Sequence, residues 1–97
     1  MSVMVTLELP AKLESLQEFL AVMKEALVET RAYAGCEKVE TFVEEGTGNV
    51  LLVELWETPE HQQAYMGWRM DTGLIDAIGG FLNGVPVART FNIKSEI

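Results

Sequence analysis

The sequence predicts an α+β domain of β-α-β-β-α-β order, the ferredoxin-like (split βαβ) arrangement built on a four-stranded antiparallel sheet. Three observations predict it. Short strand-like runs lie near both ends of the chain and in its middle. A long apolar stripe at helical spacing separates the first run from the second. A Thr-Pro step opens another helix directly after the third run.

Val3, Val5, Leu7 and Leu9 alternate with Met4, Thr6 and Glu8, the period of a strand, and Pro10 closes it because proline cannot donate to a ladder. The period then changes. Leu13, Leu16, Leu20, Met23 and Leu27 recur at i, i+3 and i+4, with Glu14, Glu18, Glu25 and Glu29 off that seam. This predicts an amphipathic helix over roughly residues 12 to 33, with Gly35 suited to a left-handed position after its end. Residues 37 to 45 read as the second strand, and Gly46-Thr47-Gly48-Asn49 as the turn of a hairpin. The third strand, Val50 to Trp56, is apolar at nearly every position, which predicts burial on both faces. Two helices cover one face of a small sheet, so the other face calls for a partner, most simply a second copy of the chain.

Thr58 suits the N-cap of the next helix and Pro59 its first position, where a missing N–H costs nothing. That helix is expected to run to about Met70 and to break at Gly73. Leu74 to Leu82 suggests a shorter helix, and Val87 to Ile93 a last strand after Gly84 and Pro86. No linker or repeat divides the chain, so residues 1–97 read as one domain.

Seven basic residues against fifteen acidic ones give a formal net charge of −8. Such a surface repels phosphate backbones and anionic lipid, which argues against nucleic acid and membrane as partners. No run approaches the ~20 apolar residues of a membrane span, and the first residues lack the basic start of a secretory signal. A single cysteine, Cys36, cannot form an internal disulfide and suits a cytoplasmic location. It follows a helix rather than preceding one, so it reads as a structural thiol. One histidine, one cysteine and no acidic cluster at ligand spacing argue against a metal site, and no phosphate-binding glycine loop is present.

The unusual side chains gather between residues 54 and 73, which hold the single histidine and both tryptophans. His61, Tyr65 and Arg69 follow at i, i+4 and i+8, along one side of the second helix. They supply a titratable base, a phenol donor and a cation for an anionic intermediate. Trp68 and Trp56 supply aromatic walls. A helix lying over a sheet presents such a set to the cleft between them. Each residue also has a plainer reading: His61 solvated in the first turn, Tyr65 and Trp68 as core aromatics, Arg69 paired with an acid such as Glu57 or Asp71, and Trp56 as packing.

With this topology, Gly35-Cys36 between the first helix and second strand, and Glu54-Leu55-Trp56-Glu57-Thr58 followed by a helix carrying His61, the chain resembles the antibiotic biosynthesis monooxygenase family. Trp68-Arg69, Gly73, Pro86 and Arg89-Thr90-Phe91 add to the likeness, which spans almost the whole length. The resemblance implies a dimeric α+β barrel in which two sheets pack together, and oxygenation of a phenol, quinol or anthrone-like substrate without metal, flavin or other cofactor. In that chemistry His61 or Tyr65 would assist deprotonation, Arg69 would stabilise the anion, and Trp56 and Trp68 would flank the ring. Two departures bear on mechanism. Many members carry a second histidine where this chain has Tyr65, and the haem-degrading branch uses a histidine further along, whereas none follows His61 here. The expectation is therefore a cytoplasmic homodimeric monooxygenase of small aromatic substrates. The alternatives are a non-catalytic dimeric barrel that holds a hydrophobic metabolite or serves a stress response, and a small isomerase using His61 as base.

Overall fold

The computed structural model describes residues 2–97. Strands β1 (Val3–Pro10), β2 (Cys36–Val43), β3 (Asn49–Trp56) and β4 (Val87–Asn92) form one antiparallel sheet in the order β2-β3-β1-β4. Helices α1 (Leu16–Ala32), α2 (Pro59–Thr72) and α3 (Leu74–Ile78) complete the ferredoxin-like α+β fold. No helix among the described residues is long and apolar enough to cross a membrane.

The period-two strands set the core. Register places Val3 opposite Trp56, Val5 opposite Glu54, Leu7 opposite Leu52 and Leu9 opposite Val50, so these residues share one face. Phe19, Met23 and Leu27 of α1 and Ile78 of α3 pack on that face with Leu9, Val39, Val50 and Leu52. Phe19 has no exposed surface, and burying a side chain of that size stabilises the fold by roughly 2–3 kcal/mol.

The first helix begins later than the periodicity suggests. Leu13–Ser15 form a separate 3₁₀ turn, and α1 starts at Leu16. Leu13, out of phase with the helix proper, is 62% exposed, while Phe19, Ala26 and Thr30 join the buried stripe. Gly35 does take the left-handed region, at φ 90, but it does not cap α1. The cap is Tyr33 in extended backbone, and Gly35 shapes the tight turn into β2. Gly73 behaves as expected: at φ 82 it ends α2, its N–H reaching the Arg69 and Met70 carbonyls.

β3 is buried on the helix side alone. Leu51, Val53 and Leu55 point to the other face and stay half-buried within a single chain. That face also carries Phe42 and Phe91, both exposed, flanked by the Lys38–Glu40 and Arg89–Glu8 ion pairs. Among the described residues, no helix packs on it.

Candidate functional site

The passage from β3 into α2 organises the site. Thr58 caps α2, its hydroxyl oxygen accepting from the His61 backbone N–H over 3.1 Å, with Pro59 at the first helical position. The same hydroxyl lies 2.7 Å from His61 Nδ1. Because its oxygen already accepts from the backbone, its proton is available to Nδ1. The imidazole also lies against the turn before β2, where a Cβ on Gly35 would overlap its ring. His61 is thus a half-buried strut between the start of α2 and the α1–β2 turn, rather than a solvated side chain.

Tyr65 and Arg69, one and two turns further on, meet each other and α1. Arg69 Nε–H donates to the Tyr65 hydroxyl at 2.7 Å, and Arg69 Nη2 donates to the Ala26 carbonyl at 2.6 Å and to Thr30 Oγ1 at 3.0 Å. The Tyr65 hydroxyl is 2.6 Å from Thr30 Oγ1. With Nε–H occupying an acceptor position on Tyr65, the phenol proton points to Thr30, and Thr30 in turn donates to the Ala26 carbonyl at 3.4 Å. Arg69 is 4% exposed. Its acidic partner is Glu29 of α1, at 3.5 Å, rather than Glu57 or Asp71. That carboxylate stands mostly in solvent, so the pair itself contributes little. The buried hydrogen bonds matter more.

The aromatic residues form one cluster. Tyr33 stacks on Trp68 with centroids 5.5 Å apart, and meets Tyr65 edge-on at 5.3 Å. Trp56, without exposed surface, lies 5.1 Å from Tyr65. Trp68 covers the Arg69 guanidinium at 4.5 Å, a cation–π contact worth about 1–2 kcal/mol when shielded from water. The two tryptophans therefore brace Tyr65 and Arg69 from behind.

Glu54 is the residue that sequence reasoning passed over. It is 5% exposed and sits between Val5 of β1 and Val39 of β2. Trp56 Nε1–H donates to its Oε1 over 2.8 Å. Burial raises the Glu54 pKa above the ordinary carboxyl value, against the smaller opposing effect of the Trp56 hydrogen bond. The signal was present: on β3, Val50, Leu52, Glu54 and Trp56 share one face, and a single carboxylate interrupts it. Cys36, beside the end of β3, has a thiol pushed up by burial and then by the Glu54 charge, so it is no activated nucleophile.

Glu54, Thr30, Tyr65 and Arg69 line a narrow cavity of about 40 Å³ with otherwise apolar walls. Beyond it, an apolar groove of about 280 Å³ runs between β4 and α2–α3, past Met70, Leu82, Pro86 and Ala88. Leu7, Leu9, Met66, Ile75 and Ile78 border both spaces. Of the five residues expected at the site, Tyr65 and Arg69 reach the cavity. His61, Trp56 and Trp68 line neither space: His61 is held at Thr58 and Gly35, and the indoles lie behind Tyr65.

By sequence, no curated protein matches the chain. By structure it is similar to a conserved protein from Methanosarcina mazei Go1, with a TM-score of 0.86 at 18% identity over 96% of this chain and 93% of that one. It is similar to an antibiotic biosynthesis monooxygenase, with a TM-score of 0.84 at 17% identity over 94% and 97% of the two chains. It is also similar to the ActVA-Orf6 monooxygenase of Streptomyces coelicolor in complex with nanaomycin D, with a TM-score of 0.81 at 14% identity over 96% and 88%. These likenesses concern the fold. The model of the antibiotic biosynthesis monooxygenase family matches residues 2–70, from β1 into α2, and the chain belongs to that family.

Proposed function

We propose that the chain is a monooxygenase of a small aromatic substrate of the phenol, quinol or anthrone type. The observation that carries this reading is the apolar groove ending in a cavity where Glu54, Tyr65 and Arg69 converge. Family membership and the nanaomycin D complex of a structural relative support it. For an anthrone-like methylene the overall step is R₂CH₂ + O₂ → R₂C=O + H₂O. A proton leaves the substrate, the electron-rich anion reduces O₂ directly, one oxygen atom remains as the carbonyl, and the other departs as water. The groove keeps bulk water from the anion, and the Arg69 charge favours its formation. Tyr65, whose hydroxyl is fixed by Arg69 and Thr30, orients the reacting edge. No metal or flavin is invoked.

We place the working unit as a cytoplasmic homodimer. The uncovered sheet face, with Leu51, Val53, Leu55, Phe42 and Phe91, supports the pairing. A free, half-buried Cys36 fits a reducing compartment. The isomerase alternative needs His61 within reach of the substrate, and its place against Thr58 and Gly35 does not support that role. A non-catalytic carrier would use the same groove, so turnover decides between them. Oxygen uptake followed with a panel of quinols and anthrones is expected to show consumption above buffer, reduced at least tenfold by Tyr65→Phe. Uptake no faster than buffer with every substrate would sink the enzyme reading.

A further inference from the structure

In an apolar sheet face a buried carboxylate is costly, and its one structural task, accepting the Trp56 indole N–H, is one a neutral side-chain amide would also perform. Glu54 makes one side-chain hydrogen bond, from Trp56 to Oε1, and no cation lies within ion-pair distance of it among the described residues. No buried side-chain oxygen among those residues is left without a partner. Oε2, which takes part in no hydrogen bond, is therefore not sealed from its surroundings, and the cavity that Glu54 lines is the space beside it.

The two spaces differ in what they admit. A cavity of about 40 Å³ holds a water or a hydroxyl but not a ring. The adjoining groove of about 280 Å³, bordered by Leu7, Met66, Ile75 and Pro86, accepts a bicyclic aromatic. A ring seated in the groove would direct a small polar substituent towards Glu54.

We propose that Glu54 is the specificity-determining residue of this site, selecting aromatic ligands that carry a hydroxyl at the leading edge and rejecting the corresponding ethers. The proposal rests on the reading of the groove as the substrate site, but not on any turnover there. An ionised carboxylate accepts hydrogen bonds and donates none. A ligand hydroxyl satisfies it, whereas an ether oxygen would meet it lone pair to lone pair and leave a buried charge unpaired. Sites built around a buried polar group reject analogues that leave that group unpaired far more strongly than apolar pockets reject a change of size.

The test is calorimetric or fluorescence titration with 1-naphthol and 1-methoxynaphthalene at mildly alkaline pH, which favours the carboxylate of Glu54 over its acid form. The natural chain should bind the naphthol at least ~10-fold more tightly than its ether. In Glu54→Gln the side-chain oxygen still accepts from Trp56, which turns an NH₂ donor to the cavity. Hydroxyl and ether both accept from it, so the two ligands should bind within about threefold of each other. An unchanged or raised Tm in the variant shows that the fold is retained. Equal binding to the natural chain, a preference that survives in Glu54→Gln (steric selection alone), or no binding of either ring would each overturn the proposal. Titration consumes no oxygen, so a preference found in a protein inactive towards quinols upholds this inference while removing the monooxygenase reading.

Discussion

Arg69 Nη2 donates to the Ala26 carbonyl over 2.6 Å, joining the last turn of α2 to α1 by a charge-assisted bond inside the protein. The same guanidinium fixes Tyr65 and Thr30, so one side chain sets the position of the cavity wall.

Replacing it should be costly. Arg69→Met is expected to lower stability by about 2–4 kcal/mol, because the Ala26 carbonyl and the Tyr65 and Thr30 hydroxyls each lose a buried, charge-assisted hydrogen bond. Arg69→Lys should restore less than half of the loss, since an ammonium cannot reproduce a planar fork reaching three acceptors. Thermal unfolding checks both, and a lysine variant as stable as the natural chain would contradict the role given to the guanidinium.

Gly35→Ala is expected to destabilise by about 2 kcal/mol or more, from its φ of 90 and from overlap with the His61 ring. The two causes separate in a double-mutant cycle. Adding His61→Gly removes the overlap, which involves the Cβ of His61 as well as its ring, but leaves the backbone cost, so the pair should be less destabilising than the sum of the singles. Strict additivity in denaturant titrations would show that the ring is not in contact with Gly35.

Stability should depend on pH through Glu54. Burial raises its folded-state pKa above the unfolded value, so its contribution is intact below the ordinary carboxyl value of 4.5 and is lost as pH rises through the folded pKa. Glu54→Gln should match the natural chain near pH 4 and exceed it at neutral and alkaline pH. A gain of about 1 kcal/mol would appear as roughly 4–8 °C in Tm. A variant less stable than the natural chain at pH 8 would refute the assignment of a buried, ionisable carboxylate.

For the open sheet face, Val53→Glu places a charge at the middle of the expected interface. Light scattering on a size-exclusion column should give twice the chain mass for the natural protein and the single-chain mass for the variant. A natural chain that runs as a monomer at micromolar concentration removes the dimer.

Strand and helix order were legible because the hydrophobic period switches cleanly, from two in Val3–Leu9 to helical spacing after Leu13 and back again by Val39. Capping chemistry placed the start of α2 at Thr58-Pro59 and its end at Gly73, since both depend on local backbone preferences. The start of α1 was not legible. A 3₁₀ turn and an α-helix share the i, i+3 repeat, and only packing shows that Leu13 is left outside. At the site, helical spacing correctly put Tyr65 and Arg69 together, but it says nothing about what stands opposite. Thr30 and Glu29 lie about forty residues away in sequence, and the direction of His61 is decided by the space that Gly35 leaves. Glu54 was hidden by its neighbours: in a run of seven residues that is otherwise apolar, the parity of one acid matters only once the helices have chosen a face.

The bond from Trp56 to Glu54 also equips the protein with an internal reporter. The indole is sealed from solvent, and its N–H ends on the carboxylate that borders the cavity. Any change in the charge of Glu54, or in what occupies the space beside it, alters the electric field along the indole. Trp56 emission should therefore follow occupancy and protonation without a label, with the half-exposed Trp68, stacked on Tyr33, as a second emitter under different control.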